Sequence, residues 1–132
     1  MDRIERIYRE WDERLARKDV DAILALYAAD AVFESPLAAH LMGTGILRGH
    51  AELRPFFEKL AQRKPTVRGR YRTGYLTDGR LLIWEYPREA PGGDQLDLVE
   101  VMEIGDDGLI RNQRVYWGWF AVGVLQADGY RR

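Results

Sequence analysis

The spacing of apolar residues changes once along this chain, from helical to extended, and that change constrains the fold more than any other feature. Between residues 2 and 18, apolar residues recur at helical spacing and form one stripe, made by Ile4, Ile7, Tyr8, Trp11 and Leu15. Further helices are predicted over residues 21–27 and 50–63, with a short strand over 31–36 and a loop over 37–49 between them. After Pro65 the pattern is extended. Helices followed by strands predict an α+β fold.

Four strand-like runs follow Pro65, over residues 66–75, 80–87, 95–104 and 109–117. The connections between them are short and rich in Gly, Asp and Pro, which predicts antiparallel hairpins. Because side chains alternate across a strand, one face of this sheet can be predicted to point inward. The predicted inward residues are Leu82, Trp84, Tyr86, Leu98, Glu100, Met102, Ile104, Gln113, Val115 and Trp117.

Composition excludes several classes of function. The length of 132 residues suits a single domain over residues 1–132, and the absence of cysteine excludes disulfides and thiolate chemistry. The net charge of −1 argues against a nucleic-acid partner. No apolar run is long enough to span a membrane, and residues 1–6 carry no apolar signal core, so a cytoplasmic protein is predicted. Two isolated histidines predict no metal site, and no cofactor is expected.

Two stretches of the chain resemble the NTF2-like superfamily, and within it the SnoaL-like proteins. Residues 18–33 (KDVDAILALYAADAVF) resemble the family's second helix and first strand, and residues 99–104 with 107–110 resemble its last hairpin. The resemblance implies a cone-shaped fold in which a curved antiparallel sheet and three N-terminal helices enclose an apolar pocket. It specifies activity poorly, because the family includes isomerases, cyclases, hydrolases and dehydratases.

The ketosteroid isomerases are the family members whose chemistry is easiest to compare. Their aspartate base falls on Ser35, their tyrosine on Trp11, and their neutral aspartic acid on Glu100. A serine hydroxyl cannot act as the base at neutral pH, so that mechanism is rejected. The SnoaL-like cyclases commonly end the last strand with an aspartate, where this chain has Trp117, and the aspartate–arginine–aspartate set of the limonene epoxide hydrolases cannot be assembled on the inward face.

Glu100 is the strongest candidate for a catalytic group. A carboxyl on an otherwise apolar inward face loses hydration, which raises its pKa and suits it to act as an acid, a base or a neutral donor. Two alternatives remain open. The carboxyl could be satisfied by Trp11, Gln113 or an arginine, or the strand could be shifted so that Glu100 faces water.

His40 is a second catalytic candidate, because a histidine in the loop after Pro36 could transfer protons near neutral pH. The alternative is an exposed loop histidine. A larger set is predicted to contact a small apolar organic ligand, although plain hydrophobic core is the alternative for most members. This set consists of Trp11, Phe33, Ser35, Phe57, Trp84, Met102, Gln113 and Trp117.

The segment 119–126 is strongly apolar for a chain end and would leave an exposed patch if nothing covered it. It is predicted either to fold over the pocket mouth or to pack on a second subunit. The outward residues Val99, Val101, Arg114 and Tyr116 offer the rest of a homodimer surface, which this fold commonly uses.

These observations lead to two hypotheses of function. The first is a homodimeric small-molecule-binding domain that works without a cofactor as an isomerase, cyclase, dehydratase or hydrolase. The second is a non-catalytic module that uses the same fold to bind a ligand or to associate.

Overall fold

The computed structural model describes residues 2–62, 71–87 and 96–127. These residues form five helices and six strands, and their α+β order confirms the predicted fold class. The helices are α1 (Arg3–Arg17), α2 (Val20–Leu24), α3 (Pro36–Met42), α4 (Gly49–Ala61) and α5 (Trp119–Gln126). The strands are β1 (Tyr27–Glu34), β2 (Ile46–Arg48), β3 (Leu76–Thr77), β4 (Leu81–Tyr86), β5 (Leu98–Ile104) and β6 (Ile110–Trp117).

Side-chain caps set where the first two helices begin. Asp2 accepts a hydrogen bond from the backbone N–H of Glu5 at 2.8 Å, and Asp19 accepts one from Ala22 at 3.1 Å. Helix α2 ends at Leu24, three residues before its predicted end. As a result β1 begins at Tyr27 instead of Ala31, and the Tyr27 side chain enters the sheet.

The predicted loop over residues 37–49 is wrong, because it contains α3 and β2. Ser35 caps α3 by accepting from the Leu37 N–H at 3.1 Å, Pro36 supplies a fixed φ in the first turn, and Gly43 ends the helix with φ +78°. In the described part of the chain before β3, four helices are therefore present and not three. His40 lies on α3 instead of on a loop.

The six strands form one sheet in the order β2-β1-β6-β5-β4-β3. Every neighbouring pair is antiparallel except β1 and β6, which run parallel, so the sheet is mixed and not antiparallel throughout. The physical reason is that hairpin turns dictate direction only between consecutive strands. Tyr27 of β1 and Gln113 of β6 are 86 positions apart, and no turn links them.

The predicted alternation of the sheet is confirmed at its centre. Glu100, Met102 and Ile104 of β5 are buried, while Val99, Val101 and Glu103, which alternate with them, are only partly covered. On either side the buried inward residues are Leu82, Trp84, Tyr86 and Gln113. The predicted strand over residues 66–75 is not found in its described part, since 71–75 carry no strand and pairing begins at Leu76; residues 66–70 lie outside the described residues.

Helix α5 begins directly after β6, where Asp97 accepts a hydrogen bond from the Ala121 backbone N–H at 2.8 Å. Ala121 is buried and Leu125 packs against the core, whereas Trp119 is 73% exposed. The apolar tail thus both covers the core and presents an apolar surface to solvent. None of the helices in the described parts of the chain has the length and apolar character needed to cross a membrane.

Candidate functional site

Glu100 lies at the middle of β5 with its side chain on the inward face of the sheet. It pairs in register with Trp84 on β4 and Val115 on β6, and only 6% of the residue is exposed. The alternative in which Glu100 faces water is therefore wrong. A carboxyl at such a position loses most of its hydration and needs a specific partner.

Three side chains form a hydrogen-bonded relay that ends on Glu100. Trp11 Nε1 donates to the Tyr27 hydroxyl at 3.0 Å, the Tyr27 hydroxyl donates to Gln113 Oε1 at 2.5 Å, and Gln113 Nε2 donates to Glu100 Oε1 at 2.8 Å. An indole N–H can only donate, so it fixes the direction of every bond in the relay. Gln113 must consequently present its amide N–H to Glu100.

Burial raises the pKa of Glu100 to about 7, while the hydrogen bond from Gln113 and the positive charge of Arg72 act to lower it. Burial also raises the pKa of Tyr27 and of Tyr86 far above the ordinary tyrosine value, so both phenols stay protonated. The negative charge of Glu100 contributes to both shifts. Near neutral pH, Glu100 is thus the group among these that changes its charge.

Aromatic rings surround the Trp84 side chain next to Glu100. Its ring centroid lies 5.4 Å from that of Trp11, 5.5 Å from that of Tyr8 and 6.3 Å from that of Tyr86. The contacts are edge-to-face, an arrangement that aromatic pairs favour. Trp11 and Trp84, both predicted ligand contacts, therefore pack against each other, and Trp84 is the register partner of Glu100.

Other predicted ligand contacts pack into the core. Phe33 and Phe57 lie 6.2 Å apart, and Phe57 also contacts the Tyr27 ring at 5.7 Å. Met102 is completely buried two residues from Glu100. These contacts are those of tightly packed core residues, and contact with a ligand stays a prediction for each of them.

Ser35 and His40 lie on the α3 side of the molecule. Ser35 is buried and serves as the N-cap described above, and His40 is half-buried in the last turn of α3. Neither side chain belongs to the relay that holds Glu100. The structure therefore brings Gln113 and Trp84 to the carboxyl, with Trp11 in contact with Trp84, but it places Ser35 and His40 on another element.

Trp117 lies at the end of β6 and borders an open groove of about 660 Å³. Residues from both faces of the sheet line this groove, which lies beside the start of α5. The residues that line this groove are Glu85, Tyr86, Pro87, Asp97, Leu98, Val99, Tyr116, Trp117, Gly118 and Trp119.

Three residues of the site were not nominated from the sequence. The helical spacing over residues 21–27 predicts a helix at Tyr27, and strand alternation predicts that Tyr86 points inward but gives it no role. Arg72 lies between two tyrosines in a stretch predicted as a strand, and nothing in that pattern marks it as part of a site. Within residues 2–62, 71–87 and 96–127, no three His, Asp or Glu side chains come together as metal ligands.

Comparisons with solved structures place the fold among known ones. A SnoaL-like protein of unknown function from Burkholderia thailandensis E264 is 21% identical, with 88% of this chain and 94% of that chain covered and a TM-score of 0.68. SalBIII, an epoxide hydrolase/cyclase-like enzyme of pyran ring formation in the polyether salinomycin, is 22% identical, with 89% and 92% covered and a TM-score of 0.63. A steroid delta-isomerase from Pseudomonas aeruginosa is 20% identical, with 97% and 89% covered and a TM-score of 0.64.

At these identities the solved structures show a shared fold and not a shared activity. A comparison with curated proteins finds no match. The family comparison is more specific, because the SnoaL-like domain matches residues 8–113, which is most of the chain and includes α1 from Tyr8 onward, Glu100 and Gln113. Sheet, helices and family match agree, and the chain belongs to the SnoaL-like family, with an NTF2-like fold.

Proposed function

We propose that this protein is a cofactor-independent acid–base enzyme that acts on a small, largely apolar organic molecule, with Glu100 as the group that transfers the proton. The observation that supports this proposal is a buried carboxyl, held at one oxygen by Gln113, among aromatic side chains. The proposed reaction is an isomerisation, cyclisation, dehydration or hydrolysis.

The protonation equilibrium of Glu100 suits this chemistry. With a pKa of about 7, the acid and the carboxylate are both populated at neutral pH. A positioned acid or base of this kind contributes roughly 10²- to 10⁴-fold to a rate. Because Gln113 occupies Oε1, Oε2 is the oxygen proposed to meet the substrate. As the acid it would give its proton to a leaving or carbonyl oxygen, and as the carboxylate it would take a proton from carbon or water.

The similar structures add modest support for this class of reaction. One is described as an epoxide hydrolase/cyclase-like enzyme and another as a steroid delta-isomerase. The first description names a polyether and the second a steroid. We propose Trp11, Trp84 and Trp117 as ligand contacts. The roles suggested from the sequence for His40, Phe33, Ser35, Phe57 and Met102 also remain proposals.

The Glu100→Gln variant tests the proposal, since glutamine keeps the shape of the side chain and cannot exchange the proton. Turnover would be screened with small apolar enones, epoxides and β-hydroxy ketones. Glu103→Gln is the matched control, because Glu103 lies on the opposite face of the same strand, where it pairs with Arg80 at 3.3 Å. We expect Glu100→Gln to lose at least 100-fold in turnover and Glu103→Gln to keep it.

Equal turnover by Glu100→Gln and the wild type would contradict the proposed mechanism. A ligand that raises the melting temperature of both variants, without turnover by either, would favour the non-catalytic binding module instead. The first outcome would show that Glu100 is not needed for turnover, and the second would show that the protein binds a ligand without converting it.

The second candidate function, an association module, is favoured by the outer face of the sheet and by α5. Val99 pairs with Tyr116 and Val101 pairs with Arg114 on that face, and Tyr116 is 56% exposed. We propose that this face and α5, which presents Trp119 to solvent, form a homodimer contact.

Light scattering with size-exclusion chromatography tests the proposed dimer. We expect the wild type to have twice the chain mass and Tyr116→Lys to shift it toward the monomer. Ala51→Lys, on an exposed position of α4, is the control for an added charge. A monomeric wild type at micromolar concentration would contradict this proposal.

A further inference from the structure

Arg72 places a positive charge among the aromatic side chains beside Glu100. Its guanidinium carbon lies 3.8 Å above the centre of the Tyr8 ring and 5.4 Å from the centre of the Trp84 ring. Only 12% of its side chain is exposed. Stacking of this kind holds a guanidinium in one orientation and leaves its edge available for hydrogen bonds.

The described residues satisfy only part of the Arg72 guanidinium. Nη1 donates to the backbone oxygen of Tyr8 at 2.8 Å, and Nη2 lies 3.7 Å from Asp12 Oδ2, which is within ion-pair range but too long for a hydrogen bond. A guanidinium has five N–H donors, and the partly exposed side chain leaves some of those not used toward Tyr8 accessible. An oxygen with negative charge would pair with them.

Trp84 connects Arg72 with Glu100, the proposed reacting group. Trp84, under the guanidinium, is the register partner of Glu100 on the neighbouring strand. The positive charge of Arg72 acts to lower the pKa of Glu100 and of Tyr86, both of which burial raises, so Arg72 interacts electrostatically with both side chains. A ligand could therefore contact the guanidinium at one end and Glu100 at another.

We propose that Arg72 is a carboxylate-binding residue of the Glu100 site, and that the substrate is an apolar organic acid whose carboxylate pairs with this guanidinium. This inference rests on the proposed function for the place where the reaction occurs. It adds the substrate class. The competing interpretation is that Arg72 only ties its loop to α1 through Tyr8 and Asp12.

Paired probes distinguish the two interpretations. Binding of 2-naphthoate and of the neutral 2-naphthamide would be measured by titration calorimetry for the wild type, Arg72→Met and Arg72→Lys. Methionine keeps an apolar stem on the Tyr8 ring, and lysine keeps the charge but loses the planar fork. Arg80→Met is the matched control, because it removes the same charge from an arginine that is 64% exposed and paired with Glu103.

We expect the wild type and Arg80→Met to bind 2-naphthoate at least tenfold more tightly than 2-naphthamide. The ratio should fall to about one in Arg72→Met and to an intermediate value in Arg72→Lys. An equal affinity of the wild type for the two probes, including no binding of either, overturns the proposal, as does a ratio that Arg72→Met leaves unchanged.

Two further measurements keep the proposal testable if Arg72→Met does not fold, and distinguish its failure from failure of the proposed function. If Arg72→Met fails to fold, the Nε–H resonance of Arg72 in the wild type should shift on titration with 2-naphthoate and not with 2-naphthamide. The absence of that shift would equally overturn the proposal. Glu100→Gln should retain the preference for the carboxylate even where turnover is lost, so failure of the acid–base mechanism can be distinguished from failure of carboxylate recognition.

Discussion

Replacing Glu100 by glutamine should change how the stability of the protein depends on pH. The folded protein raises the pKa of this carboxyl from 4.5 to about 7, mainly by burial. Between these two values the folded state binds a proton that the unfolded state has released. The free energy of unfolding contributed by Glu100 therefore falls as pH rises from about 4.5 to about 7, and it is lowest above that range.

The size of the effect follows from the same two values. Each pKa unit corresponds to about 1.4 kcal/mol, so the carboxylate destabilises the native state by about 3 kcal/mol at pH 8 relative to pH 4. A glutamine side chain does not ionise, so the unfolding free energy of Glu100→Gln lacks this pH-dependent contribution. The two phenols that face Glu100, those of Tyr27 and Tyr86, stay neutral throughout this range, because burial raises the pKa of both.

Urea unfolding followed by tryptophan fluorescence at pH 5, 6, 7 and 8 measures this difference. We expect the gap in unfolding free energy between Glu100→Gln and the wild type to shift in favour of the variant by about 2–3 kcal/mol from pH 5 to pH 8. Glu103→Gln, on the outer face, should follow the wild type. Parallel pH profiles for Glu100→Gln and the wild type would refute the argument, because they would mean that Glu100 titrates alike in the folded and unfolded chain.

Further predictions concern the relay and the start of α5. Tyr27→Phe removes the link that supplies Gln113 Oε1 with its donor; it should lower the unfolding free energy by about 1–3 kcal/mol in the urea assay, and an unchanged midpoint would contradict the relay. In Gly118→Ala the new methyl group would collide with the Asp97 side chain and lie 3.0 Å from its backbone oxygen, which should cost about 1–3 kcal/mol. Gly123→Ala meets nothing within 4 Å and should stabilise the helix by up to about 1 kcal/mol, so a melting temperature that moves alike in both variants would contradict this account.

Much of the architecture could be predicted because it depends on local patterns. Period-two alternation placed Glu100 and Trp84 on the inward face, and the structure confirms both. The stretch from Ser35 to Gly43 was mispredicted because a helix of seven residues offers too few apolar positions for its period to show. The Ser-Pro start and the glycine after the helix were the signals available. The parallel pairing of β1 with β6 depends on long-range packing that no turn sequence encodes.

The candidate site was less predictable than the fold, since its partners come from distant elements. Gln113 was among the partners considered for Glu100, and the structure confirms that hydrogen bond. Trp11 instead donates to Tyr27, which alternation could not nominate while Tyr27 was assigned to a helix. Arg72 reaches the site through the tertiary packing of its loop on α1, and that contact has no signature in the local sequence.

The parallel contact between β1 and β6 also has a consequence for how the chain folds. In the antiparallel meander, strands can zip together from neighbouring turns, but β1 can complete its pairing only after β6 has formed. During synthesis β1 must wait until β6 has emerged before the two strands can pair. The entropy cost of closing the long loop between β1 and β6 is therefore met late in folding. We expect the rate-limiting step of folding to be the docking of the N-terminal helical half onto a preformed meander, with Tyr27 and Gln113 meeting only after that barrier has been crossed.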